Sequence, residues 1–118
     1  MGKRILVLDD DSDLLEIIEI ILKEGGYEVI AMSSGEFITE NINNFHPDLI
    51  LMDIMLAGLD GRVLCSAIKA DVRNKLPVIL ISGTHNLKQV MSQIGPPNDF
   101  ISKPFDVDDL LNRVALQL

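Results

Sequence analysis

Residues 48–61 read DLILMDIMLAGLDG. Four apolar residues, Leu49 to Met52, run without polar alternation and stop on a single acid, Asp53. A run of this kind suits a strand covered on both faces, as in a parallel sheet flanked by helices. Sheets of that type carry their chemistry outside the carboxyl ends of their strands. Burying an ionised carboxylate without a partner is very costly, so Asp53 must face solvent, a cation or a reaction. Behind it Gly58 and Gly61 bracket a loop, and Asp60 with Gly61 reads as a turn before a helix. On this stretch alone, an acid that merely ends the strand or caps the next helix explains Asp53 as well as a reactive one does.

Working outward, residues 3–8 (KRILVL) form a second apolar run that ends on three acids, Asp9, Asp10 and Asp11. Leu14, Leu15, Ile17, Ile18, Ile21 and Leu22 then trace the stripe of an amphipathic helix, with Asp11 or Ser12 at its start and Gly25 or Gly26 at its end. Residues 27–31 (YEVIA) read as a strand. Ser34 is expected to open a helix with Phe37, Ile38, Ile42 and Phe45 on its apolar side, closed by His46 and Pro47. After Gly61 a helix over RVLCSAIKADV is expected to end near Arg73 and Asn74. Residues 78–82 (VILIS) make a fourth strand with Ser82 at its end. A short helix within 85–94 would turn Leu87, Val90, Met91 and Ile94 to one side. Residues 99–102 (DFIS) make a fifth strand, followed by Lys103 and Pro104. A last helix from about Asp106 carries Val107, Leu110, Leu111, Val114 and Leu118.

Five β-α units without repeat or linker predict one α/β domain over 1–118, with a parallel sheet, right-handed crossovers and helices on both faces. The 47% hydrophobic content excludes wholesale disorder, and no apolar run approaches the ~18 residues of a membrane span. A cytoplasmic location is expected. The formal charge of -8 would repel nucleic acid and anionic membranes, so neither is expected as a direct partner of this domain, and any DNA binding must come from a partner or an absent domain. Cys65, the only cysteine, reads as a buried, inert thiol. His46 has no second histidine or cysteine nearby and reads as a solvated loop residue.

The alternation brings Asp9, Asp10, Asp53, Ser82 and Lys103 to one edge of the sheet. Crowded carboxylates repel and invite a cation; hard oxygen ligands with room for water suit Mg2+. A carboxylate shielded by such a metal can attack phosphorus, while Lys103 offers charge and Ser82 a hydroxyl donor to the phosphoryl oxygens. Taken singly, Ser82 is better read as a turn residue, Lys103 as a solvated cation and Phe100 as core. Asp11 reads as a helix cap.

The set LVLDDD, LILMDIMLAGLDG, LISGT and FISKPF, in that order, resembles the receiver domain of two-component response regulators over the whole chain. The resemblance implies a flavodoxin-like (βα)5 fold of strand order 2-1-3-4-5. It implies Asp53 as phosphoacceptor, with Mg2+ held by Asp10 and Asp53 directly, by the main-chain oxygen of Met55, and by Asp9 through water. Ser82 matches a switch hydroxyl, Phe100 the aromatic that moves with it, and Lys103 the charge partner, with a cis bond to Pro104. The implied partners are a sensor histidine kinase or phosphotransfer protein, an effector domain or output protein, and a second copy on phosphorylation. Such a domain assists its own phosphotransfer and is not a conventional enzyme.

The chain departs from that pattern at Ala57, where the family usually has proline, and at Gly95 to Asn98, where a short fourth helix and an altered signalling surface are expected. Met55 and Thr84 hold the two positions that tune attack of water on the acyl phosphate, and neither orients a water, so slow self-dephosphorylation is expected. The alternative is a receiver-like interaction module that makes no use of phosphorylation. An aspartate-nucleophile phosphatase would want an acid where Met55 stands. A flavodoxin would not place three acids where its phosphate loop belongs.

Overall fold

The computed structural model describes residues 2–71 and 75–118. Five parallel strands form one sheet: β1 Arg4–Leu8, β2 Glu28–Met32, β3 Leu49–Asp53, β4 Val78–Ser82 and β5 Asp99–Ser102. Their spatial order is β2-β1-β3-β4-β5, the expected 2-1-3-4-5. The helices are α1 Ser12–Glu24, α2 Ile38–Phe45, α3 Gly61–Ala70, α4 Leu87–Met91 and α5 Val107–Gln117.

Side chains alternate across each strand and so divide the core into two layers. Ile5, Val7, Leu49, Leu51, Ile79, Ile81 and Ile101 pack against Leu15, Ile18 and Leu22 of α1 and Leu110 and Val114 of α5. Leu6, Leu8, Ile50, Met52, Val78, Leu80 and Phe100 pack on the other face, against Ile38, Ile42, Cys65, Ile68 and Val90 of α2, α3 and α4. β1, β3 and β4 lie between neighbours and are covered on both sides, which is why their sequences show no polar alternation.

Local chemistry fixes the ends of the elements. Asp11 caps α1, its carboxylate accepting from the Asp13 and Leu14 amides, and Gly25 closes it with Gly26 at φ 93°. Asp60 caps α3 and also binds Arg62. Between β3 and α3 the chain makes a two-by-two antiparallel hairpin, Met55 opposite Asp60 and Leu56 opposite Leu59, so the turn closes without proline at Ala57. His46 ends α2 in the left-handed region at φ 53° and is exposed, as expected of a loop histidine.

Several expectations shift. α2 begins at Ile38 rather than at Ser34, because the Ser34 hydroxyl accepts from the Glu36 amide and holds a turn first. Gly35 lies in that turn close to α3, where an added Cβ would lie 2.8 Å from Leu64 Cδ1 and would push that side chain aside. Phe37 therefore precedes the helix and stands exposed. Ile17 faces solvent, as do Val107 and Val63. α4 spans only Leu87–Met91, and of its expected stripe Val90 alone is buried. The chain after it is bound to α3 instead: Ser66 Oγ donates to the Ile94 carbonyl at 2.6 Å, and Gln93 Nε2 donates to the carbonyl of Arg62 and to Ser66 Oγ at 3.1 Å each. The expected end of α3 near Arg73 and Asn74 lies outside the described residues.

Gly61 is where the backbone after β3 doubles back on itself. A Cβ there would collide with the Asp53 carbonyl oxygen and lie 2.9 Å from Ile54 Cα. Backbone cannot yield as a side chain does, so Gly61→Ala is expected to lower stability by about 1–3 kcal/mol, read from urea midpoints. An unchanged midpoint would show that the hairpin adapts freely.

Candidate functional site

Strand parity assembles the site. In β1, Ile5 and Val7 face α1 and α5, and Asp9 continues their side of the sheet; its amide donates to the Met32 carbonyl, prolonging the ladder. Leu49 and Leu51 lead in the same way to Asp53, and Ile101 to Lys103, whose amide donates to the Ser82 carbonyl. Three side chains from three strands thus emerge on one side at one edge. On that parity β4 is followed by Gly83, which carries no side chain into the space between β5 and β3.

Across this gap the Lys103 ammonium donates to Asp53 Oδ2 at 2.9 Å and to Asp9 Oδ2 at 3.3 Å. Asp9 and Asp53 are almost wholly buried, at 1% and 4% exposure, whereas Asp10 is exposed. Carboxylate oxygens of Asp9, Asp10 and Asp53 lie within 4.8 Å of one another. Backbone amides hold the two buried acids in place: Asp11 N–H donates to Asp9 Oδ1 at 2.9 Å, and Met55 N–H to Asp53 Oδ1 at 3.2 Å. The bond from Lys103 to Pro104 is cis.

The electrostatics follow from crowding. Burial pushes the Asp9 carboxyl above its ordinary range and the Asp53 charge adds to this, against the Asp11 amide and Lys103. For Lys103, burial works against the charged form, but the hydrogen bond to Asp53 and the charges of both acids outweigh it and raise its pKa. Cys65 is different in kind: buried, it has its thiol pushed up to about 11, which makes it the inert residue its neighbours suggested.

Ser82 has the opposite parity, with Leu80, and is 1% exposed. Its hydroxyl is engaged by its own loop: it accepts from the amides of Thr84 at 3.1 Å and His85 at 3.2 Å, and lies 2.8 Å from His85 Nδ1. Phe100, paired with Leu80 in the ladder, is buried on the same face. Sequence reasoning passed over His85 and the close approach at Gly61. The signal for the first was faint: a strand ending Ser-Gly-Thr-His offers a serine turn that brings the third residue back to the hydroxyl.

An acidic cluster with one balancing ammonium, at the carboxyl edge of a doubly wound sheet, offers the hard oxygen donors that suit a divalent cation. The chain matches the model of the response regulator receiver domain over residues 5–115. It is 32% identical over 119 residues to the DNA-binding response regulator MtrA of Mycolicibacterium paratuberculosis, covering all of this chain and 52% of that protein. A putative response regulator from Chloroflexus aurantiacus superposes with a TM-score of 0.88 at 30% identity, covering 99% of this chain and 98% of that one. The BeF3-activated receiver domain of Klebsiella pneumoniae RstA gives 0.86 at 27% identity, covering 98% and 97%.

The chain belongs to the response regulator receiver family. Its work is that of the family, phosphorelay signal transduction, and the family is not one of conventional enzymes. Receiver domains bind Mg2+ in an acidic pocket, and the cluster of Asp9, Asp10 and Asp53 has the donor chemistry for it. The chain spans about half the length of the curated relatives it matches, and those relatives are named as DNA-binding. For a longer protein of that kind the expectation of no nucleic-acid partner does not fit. Among the described residues no helix is long and apolar enough to cross a membrane.

The raised Asp9 carboxyl has a definite consequence for stability. The folded state retains a proton that the unfolded chain releases above its ordinary pKa of 3.8, so this contribution to stability falls as pH rises from 3.8 through the folded value. In chelator-containing buffer, the stability of the wild type relative to Asp9→Asn is expected to decline over that window. Urea midpoints measured in steps from acid to neutral pH test it, and a relative stability that climbs with pH contradicts the assignment.

Proposed function

We propose that Asp53 is the phosphoacceptor of this domain and that Lys103, Asp9, Asp10 and Ser82 serve its phosphorylation by a partner histidine kinase or phosphotransfer protein. The observation that carries this reading is the bridge from Lys103 to Asp53 and Asp9, with Asp10 at the open side of the same cluster.

In the reaction an Asp53 oxygen attacks the phosphorus of a phosphohistidine, forming an acyl phosphate as the P–N bond breaks, and the imidazole leaves with a proton from solvent. Mg2+, when bound, would offset the repulsion between the acids and the incoming phosphoryl oxygens. Asp10 and Asp53 are the direct carboxylate ligands in this reading, with the Met55 main-chain oxygen beside them and Asp9 acting through water. The Met55 amide and the Asp9–Lys103 contact keep the Asp53 carboxylate oriented. Lys103 then transfers its hydrogen bond from the carboxylate to a phosphoryl oxygen. Ser82 donates its hydroxyl to another, and its movement reaches Phe100 on the α4 face.

The consequence is a change in a protein-interaction surface, read by an effector domain, an output protein or a second copy. A cytoplasmic site of action fits a kinase partner of this type. A module indifferent to phosphorylation is the alternative, and membership of the receiver family does not favour it.

With acetyl phosphate and Mg2+, intact mass is expected to show the gain of one phosphate, abolished in Asp53→Asn; uptake by that variant would move the acceptor elsewhere. Neither Met55 nor Thr84 carries a charge or an amide to orient a water, so the phosphorylated domain, once freed of phosphodonor, is expected to keep its phosphate far longer than seconds. A half-life of seconds would mean that another group activates the water.

A further inference from the structure

His85 lies outside the acidic cluster, yet its ring sits 2.8 Å from the hydroxyl that the proposed switch must move. A serine hydroxyl has one proton to give and two lone pairs to receive. Both lone pairs of Ser82 are taken, by the amides of Thr84 at 3.1 Å and of His85 at 3.2 Å. Of the two remaining contacts, the one to His85 Nδ1 is the shorter at 2.8 Å, against 3.4 Å to Thr84 Oγ1, and is the one through which Ser82 spends its proton. Nδ1 must be the bare, accepting nitrogen and Nε2 must carry the ring proton. Thr84 Oγ1, at 3.2 Å from the same nitrogen and 3.4 Å from Ser82 Oγ, is the weaker competitor. Ser82 is buried at 1% exposure, so its hydroxyl depends on partners within the fold.

We propose that His85 is a positioning residue that latches the Ser82 hydroxyl in the resting state, so that phosphorylation of Asp53 must break the Ser82–His85 hydrogen bond before the switch can complete. The proposal rests on the reading of Asp53 and Ser82 given above. It deepens that reading by naming what opposes the switch: a single hydroxyl proton cannot serve the imidazole and a phosphoryl oxygen at once. The latch adds to the free energy separating the resting from the activated arrangement, and it lowers the affinity for anything that requires the activated one.

Beryllofluoride with Mg2+, a stand-in for the phosphoryl group on the intact chain, reads this directly. His85→Phe keeps an aromatic ring, somewhat larger than the imidazole, and removes the acceptor, and it is expected to bind the probe about fivefold more tightly, the worth of one ordinary hydrogen bond. His85→Asn, whose side-chain oxygen can accept in place of Nδ1, is expected to return the affinity toward wild type. In a Ser82→Ala background the His85→Phe effect is expected to vanish, because the cycle isolates the pair. In the unmodified protein, nitrogen-15 shifts of the imidazole are expected to show Nδ1 unprotonated at rest and to change when the probe binds.

Equal probe affinity in the wild type and His85→Phe overturns the latch while leaving Asp53 as acceptor, and so does a resting ring protonated on Nδ1 alone. A wild type that takes neither phosphate nor beryllofluoride overturns both readings.

Discussion

The structure turns on one ammonium held between two buried carboxylates that come from strands far apart in sequence. Like charges about 4 Å apart at a partly buried site repel by about 4 kcal/mol, a large part of the roughly 5–15 kcal/mol that holds a domain folded. The acids of β1 and β3 are neighbours in the sheet and cannot be separated without undoing the ladder. Lys103 resolves the conflict by reaching over the end of β4 to Asp53 and Asp9. Burial, with the Asp53 charge adding to it, still holds the Asp9 carboxyl above its ordinary range. An edge with three acids and one lysine keeps an excess of negative charge, which is the condition for attracting a divalent cation.

The same alternation of side chains that builds the two core layers divides the residues of the proposed site between the two faces of the sheet. Asp9, Asp53 and Lys103 continue the rows that pack on α1 and α5. Ser82 and Phe100 belong to the rows on the side of α2, α3 and α4. A hydroxyl at the end of β4 is thus the residue that stands at the shared edge while facing the opposite layer. Its hydrogen bonds at rest all run into the loop that leads to α4. That loop enters α4 through a reciprocal pair of bonds between Asn86 and Gln89, so a displacement of the loop is passed to the first turn of the helix.

The region after α4 differs in how it is held. In place of a longer helix with an apolar stripe, the chain uses Gln93 and Ser66 to fasten a turn onto α3. Gly95 fits there at φ 68° over the Ser66 backbone. Leu87, Met91 and Ile94 are left exposed as a result. The short helix follows from exchanging apolar burial for specific polar bonds, a trade that residues 93–97 make necessary by their glycine and prolines.

The apolar runs ending at Leu8, Met52 and Ile81, each followed by a polar residue, were enough to read the strands, their shared edge and the acids and lysine along it. Local sequence carries that much because a strand buried on both faces has no polar alternation and a charge beside it must emerge at its end. Their order in space came from family likeness rather than from the runs themselves. Only the tertiary structure decided that Lys103 bridges both Asp53 and Asp9, that Ser34 holds a turn instead of opening a helix, and that Ile17 and Val107 face outward. The bond between Ser82 and His85 belongs to the same group: it is made by the direction of a loop in space, and residues 82–85 as letters fix only how near the two can come.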